Sequence, residues 1–230
     1  SEDSAFARAL GGDDAVESAV KNYELAARMQ LLAPAVLSLA RETAATHALY
    51  GIDSDVPSKR LYGIQCLRAR RLIEVGVRFV EITCPPGASN GTWDQHGDLK
   101  KGHEKNALDT DQAIAGLIRD LKARGLFDET LVVWTGEFGR TPKFKADGGR
   151  EHYSDGWQVG LSGAGVRGGQ VIGATDARGI TVIDRPVGVQ DLFVTFSHVL
   201  GIEPSEEYLT TDRRPIKIVE GGELIRELFS

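Results

Sequence analysis

Thr130-Leu131-Val132-Val133-Trp134-Thr135-Gly136-Glu137-Phe138-Gly139-Arg140 is the stretch whose reading decides the fold. Its first half is a nearly unbroken run of β-branched and aromatic residues, the pattern of a strand covered on both faces inside a parallel sheet. At Gly136 the character changes: two glycines bracket Glu137, and Arg140-Thr141-Pro142 follow. Ligands of open α/β sheets sit just beyond the carboxyl ends of the strands, so Glu137 and Arg140 stand where such a fold puts its chemistry. The competing reading is a plain turn closed by a surface ion pair.

Upstream of this stretch, Glu104 to Arg124 carries Ala107, Ile114, Leu117, Ile118 and Leu121 at helical spacing, interrupted by Asp111 and ended by Gly125. Before that helix, Val77 to Thr83 reads as a strand closed by Cys84-Pro85-Pro86-Gly87. Strand, loop, helix and strand make a crossover unit, which predicts two parallel strands in one sheet. Further back, Asp13 to Leu32 reads as a helix; Pro34 restarts a short second one, and Leu61 to Ile73 forms a third that stops at Gly76. Downstream, Trp157 to Ser162 alternates as a strand, and Val189 to Leu200 forms the last long helix, closed by Gly201. The tail offers a strand at Ile216 to Val219 and a helical turn from Glu223. Gly163 to Gly168 has dinucleotide-type glycine spacing but no amphipathic helix after it. No repeat is visible, and a single domain is expected.

With 230 residues, 41% hydrophobic and 26% charged, the composition is that of a globular protein. No apolar run approaches the ~20 residues that cross a bilayer, so no membrane partner is expected. The formal net charge is -6 and the basic residues are scattered, which argues against a nucleic-acid partner. Cys66 and Cys84 have no zinc-ligand spacing. Two separate buried thiols or a disulfide both fit them.

Divalent ions are held by carboxylate oxygens and imidazole nitrogens gathered from several loops. One polar loop offers Asp94, His96 and Asp98; the loop from Gly136 to Asp155 offers Glu137, Glu151, His152 and Asp155. Asp94 and His96 are two apart, so an extended segment points both toward one ion. Solvated turns are the alternative for His96 and for His152. His103 is a weaker candidate at a helix start, while His47 and His198 lie inside helical patterns and read as structural.

Trp93-Asp94-Gln95-His96, Gly136-Glu137-Phe138-Gly139-Arg140-Thr141-Pro142 and Gly149-Arg150-Glu151-His152 together resemble a sulfatase-like family of unknown function in the alkaline phosphatase superfamily. Tyr23-Glu24-Leu25-Ala26, Arg28-Met29-Gln30, the stretch from Gly168 to Asp176 and Arg185-Pro186 extend the likeness over nearly the whole chain. The resemblance implies a three-layer α/β/α sandwich around a mainly parallel sheet, with a metal-assisted site for sulfate or phosphate esters. It also implies export. Asp94, His96, Glu137 and His152 match the kinds of position that hold a divalent ion, whether Zn, Ca, Mg or Mn, and Arg140 would meet an anionic ester substrate. Glu151 stands where that family more often has Asp. The chain resembles the carboxyl-terminal part of such proteins, lacking the amino-terminal part that carries the nucleophile. Thr83 and Cys84 follow a strand, but prolines come next and no strand-to-helix elbow forms.

Three expectations follow. The first is a metal-dependent hydrolase of sulfate or phosphate esters, or the carboxyl-terminal part of one. The second is a non-catalytic binding module that keeps a partial metal site. The third is a homo-oligomer or complex that covers an apolar sheet edge.

Overall fold

The computed structural model describes residues 14–83 and 93–230. Cys84 and the proline turn after it lie outside the described residues; Cys66 is a free, buried thiol. The chain clusters into two compact units, one of Ser1–Thr83 with Gln112–Leu117 and one of Cys84–Asp111 with Ile118–Ser230.

The first unit is helical among its described residues. Helix α1 (Asp14–Leu37) runs straight through Pro34, where the sequence predicts a restart. Proline forfeits one backbone bond there, yet the turn continues, with Ser38 N donating to the Pro34 carbonyl at 3.1 Å. Helix α2 (Ala44–Tyr50) is capped at both ends: Thr43 Oγ1 accepts from Thr46 N at 3.1 Å, and Gly51 takes the left-handed conformation. Helix α3 (Pro57–Glu74) begins with proline at its first position, where a missing N–H costs nothing. Tyr50, Cys66 and Leu67 are fully buried, packed with Ile52, Tyr62 and Ala113. Gly63 lets α3 approach the end of α2, since a β-carbon there would overlap the Tyr50 carbonyl oxygen. Burial pushes the free Cys66 thiol up to about 12.

The same unit holds an ionic cluster. Glu42 Oε1 receives Arg70 Nη2 at 2.9 Å and Arg71 Nη1 at 2.6 Å, while Arg71 also donates to the Val36 and Ala35 carbonyls. Burial alone would raise the Glu42 carboxyl. The Arg71 hydrogen bond, then the charge and hydrogen bond of Arg70, outweigh burial and hold it below its ordinary value.

The second unit corrects the expected sandwich. Among the described residues there is no parallel sheet; every ladder is a two-stranded antiparallel pair. Strand β1 (Val132–Thr135) pairs with β4 (Val159–Ser162), Val133 facing Leu161. Strand β2 (Gly139–Arg140) pairs with β3 (His152–Tyr153), β5 (Ala174–Thr175) with β6 (Val182–Asp184), and β7 (Glu207–Leu209) with β8 (Pro215–Lys217). An apolar run identifies a strand but carries no information about the direction of its partner, and here the partner is antiparallel. Nor is β1 covered on both faces: Trp134 is 64% exposed and Val133 39%. Val77 to Thr83 forms no ladder, and Phe79 is exposed. Alternating residues make a strand only when a neighbour takes up the backbone hydrogen bonds. The crossover unit therefore loses its first strand.

Helix α4 (Leu99–Ala123) starts a full turn earlier than its apolar pattern indicates. Helix α5 (Val189–Leu200) ends at Gly201 as its spacing predicts. Leu192 on α5 forms the second core with Ile225 and Leu228, backed by Trp157, Val159 and Leu161. Among the described residues no helix is long and apolar enough to cross a membrane.

Candidate metal centre

The site grows out of the short hairpin β2–β3. Its register sets Arg140 opposite His152 and Gly139 opposite Tyr153, so two candidate side chains are fixed by backbone pairing. The hairpin loop closes on itself: Thr141 N donates to the Glu151 carbonyl at 2.9 Å, and Lys145 N donates to the Gly149 carbonyl at 2.9 Å.

The segment from Trp93 to Asp98 is laid against this hairpin. Asp98 N donates to the Asp147 carbonyl at 3.1 Å and Leu99 N to the Gly148 carbonyl at 3.4 Å. Gly149 is where the two backbones pass closest, because a β-carbon there would overlap the His96 carbonyl oxygen. On its other side the segment is anchored to α4 by buried Gln95, which packs over Gly102, and by Trp93, whose ring meets His103 edge-on at 5.2 Å. Trp93 and Asp98 both have positive φ, at 68° and 45°. A non-glycine residue held there is strained, and such strain collects at binding and switch sites.

These tethers bring Asp94, His96 and His152 together, with one ligand atom from each lying within 4.8 Å of the others. Asp94 Oδ1 is 3.0 Å from His96 Nε2 and 3.0 Å from His152 Nε2. Tetrahedral zinc ligands with bonds of ~2.0 Å sit about 3.3 Å apart, so a small inward-facing cluster of this kind has the right scale. Two imidazoles and a carboxylate are also a donor set that borderline divalent ions favour.

The remaining candidates flank this group. Arg140 Nη2 donates to the same Asp94 oxygen at 2.7 Å and lies 3.5 Å from Glu137 Oε1. Glu137 Oε1 is 3.7 Å from His152 Nε2, so it stands beside the group without joining it. Phe138 braces the His152 ring edge-on at 4.8 Å. The hydrogen bond from His152, then that from Arg140, holds the Asp94 carboxyl down to about 2, against a smaller opposing effect of desolvation. Asp94 is accordingly a carboxylate throughout the neutral range.

Asp98 and Asp155 do not enter the site. Asp98 occupies the N-cap position of α4 without a side-chain cap bond, and Asp155 accepts a long bond from Ser154 Oγ at 3.3 Å. His47 faces Asp53 at 3.9 Å, and the His198 ring packs on Phe229, both in structural settings. Sequence reading underrated Glu151, which it placed in the loop as one donor among several. Its Oε2 lies 2.9 Å from His96 Nδ1 and its Oε1 2.7 Å from Lys145 Nζ. The Lys145 hydrogen bond, opposed by desolvation and reinforced by His96, holds the Glu151 carboxyl below its ordinary range. Adjacency to His152 in the sequence was the available signal.

The geometry thus defines a protein with a three-donor cluster of metal-binding type, carried on a hairpin and the segment that crosses it. A family model described as protein of unknown function, DUF1501, matches residues 3–229, and the chain belongs to that family. This match overturns the resemblance to a sulfatase-like family of the alkaline phosphatase superfamily, since no sulfatase or phosphatase family matches. No curated protein and no solved structure matches the chain.

Proposed function

We propose that the chain binds a divalent ion through Asp94, His96 and His152 and uses it to hydrolyse small anionic esters, of phosphate or sulfate. The observation that supports this reading best is the convergence of two imidazoles and one carboxylate with ligand atoms within 4.8 Å. A divalent ion held there would polarise an ester oxygen and make water a nucleophile near neutral pH. That chemistry requires no serine or cysteine on the protein, and sequence reading finds none suitably placed. The chain's own part is to hold the ion from two loops at once and to present Arg140 beside it. A guanidinium is suited to the paired oxygens of a phosphate or sulfate group. Glu137, exposed beside the group with its Oε1 3.7 Å from His152 Nε2, would add a fourth donor.

One observation favours a second reading, a module that binds but turns nothing over. Asp94 Oδ1 already faces three nitrogen atoms, from His96, His152 and Arg140, so the cluster is self-satisfied as an ion-pair network. The two are separated by titrating the protein with Zn, Mg, Mn and Ca and assaying aryl phosphates and aryl sulfates with each. The hydrolase reading expects uptake of one ion per chain, with turnover above the metal-only background that is lost in His152→Ala. Uptake without turnover leaves the binding module, and no uptake of any ion removes both.

A further inference from the structure

We propose that Glu151 is a positioning residue that sets His96 for ion binding, an inference that rests on the metal reading above. Imidazole ligates through one nitrogen only when its proton sits on the other, and the partner of that other nitrogen decides which tautomer forms. His96 Nδ1 faces Glu151 Oε2 at 2.9 Å, and His96 Nε2 faces Asp94 and the centre of the cluster. Glu151 accepts the Nδ1 proton, which leaves Nε2 as the ligating atom and fixes the plane of the ring.

Glu151 is itself held from three sides. Its Oε1 receives Lys145 Nζ at 2.7 Å, its N–H donates to Thr141 Oγ1 at 3.1 Å, and its carbonyl accepts from Thr141 N at 2.9 Å. The hairpin therefore contributes twice to the site: His152 from β3 as a ligand, and Glu151 one residue earlier as the support for a ligand on the other segment. Successive residues of an extended chain point to opposite sides, which lets neighbours serve two different partners.

The test compares wild type, Glu151→Gln and Glu151→Ala by zinc titration against a competing chelator, with ¹⁵N signals of the histidine rings recorded on the metal-free proteins. Glutamine still accepts the Nδ1 proton, whereas alanine cannot. The expected result is a loss of zinc affinity of about 10–100-fold in Glu151→Ala. Glu151→Gln should keep most of the affinity, and the His96 Nδ1–H signal should persist in wild type and Glu151→Gln but not in Glu151→Ala. The proposal is overturned if Glu151→Ala binds zinc as wild type does or leaves the His96 signals unchanged. It is equally overturned if Glu151→Gln falls as far as alanine, since that marks Glu151 as a ligand. Absence of zinc uptake in wild type would count against the metal reading alone, and the ring signals would still decide whether Glu151 sets the tautomer.

Discussion

Asp94→Ala should leave the chain folded and abolish the zinc uptake proposed for the three-donor group. Asp94 supplies the one carboxylate of the three-donor group, and both imidazole Nε2 atoms are aimed at its Oδ1. Removing it takes away a ligand and also the anion that draws the two rings together. The loss should therefore exceed the roughly 10–100-fold expected from a supporting partner. The fold should survive because Asp94 is about half exposed, while the segment carrying it is pinned by main-chain bonds at Asp98 and Leu99 and by buried Gln95. Chelator competition measures the affinity, and circular dichroism confirms the helices. Zinc uptake equal to that of wild type would sink the assignment. In the mutant, Arg140 also loses its shortest contact, the 2.7 Å bond to Asp94, and keeps only the longer approach to Glu137.

Glu42→Ala should destabilise the helical unit by about 3 kcal/mol, the low end for breaking a buried pair because Arg70 keeps Glu74. Its side chain is 8% exposed and that of Arg70 2%, so alanine leaves a buried guanidinium short of one of its two carboxylate partners. Glu74 also pairs with Arg70, through the other terminal nitrogen, but Arg71, which donates to the Val36 carbonyl at the end of α1, takes its carboxylate from Glu42. The same pair sets a pH dependence whose sign is fixed. The folded-state value of Glu42 is depressed, so its stabilising contribution is complete above the unfolded value of about 4.3 and is lost as pH falls through the lower folded value. Wild type should weaken in urea melts as pH drops below about 4.3, whereas Glu42→Ala, already weakened, should show a flatter response there. The helical signal at 222 nm is the appropriate probe, since all three tryptophans, Trp93, Trp134 and Trp157, belong to the other unit. Equal midpoints for the two proteins at neutral pH would contradict the role given to Glu42.

What the sequence made legible was local. Helical periodicity located α3 and α5 within a few residues, and Gly76 and Gly201 stop their helices in the left-handed conformation. Polar residues in two loops marked the candidates, and three of them, Asp94, His96 and His152, come together as one group. Partnership between distant segments was not legible. Val132 to Thr135 announces a strand, yet which neighbour it takes and in which direction depends on residues some thirty positions away. The expected parallel sandwich failed on that point, and Val77 to Thr83 failed with it for want of a neighbour. Glu151 was hidden for a similar reason: its role exists only once the hairpin has brought His96 within reach.

Gly149 carries a consequence beyond its fit. The distance between the two groups of donors is set by how closely two main chains pass, and at that crossing a hydrogen atom is all the side chain that fits. A single added methyl would act as a shim, lifting the arm that bears Asp94 and His96 off the one that bears His152. The spacing between the proposed donors is in this sense gauged by an atom that is missing, three residues before His152.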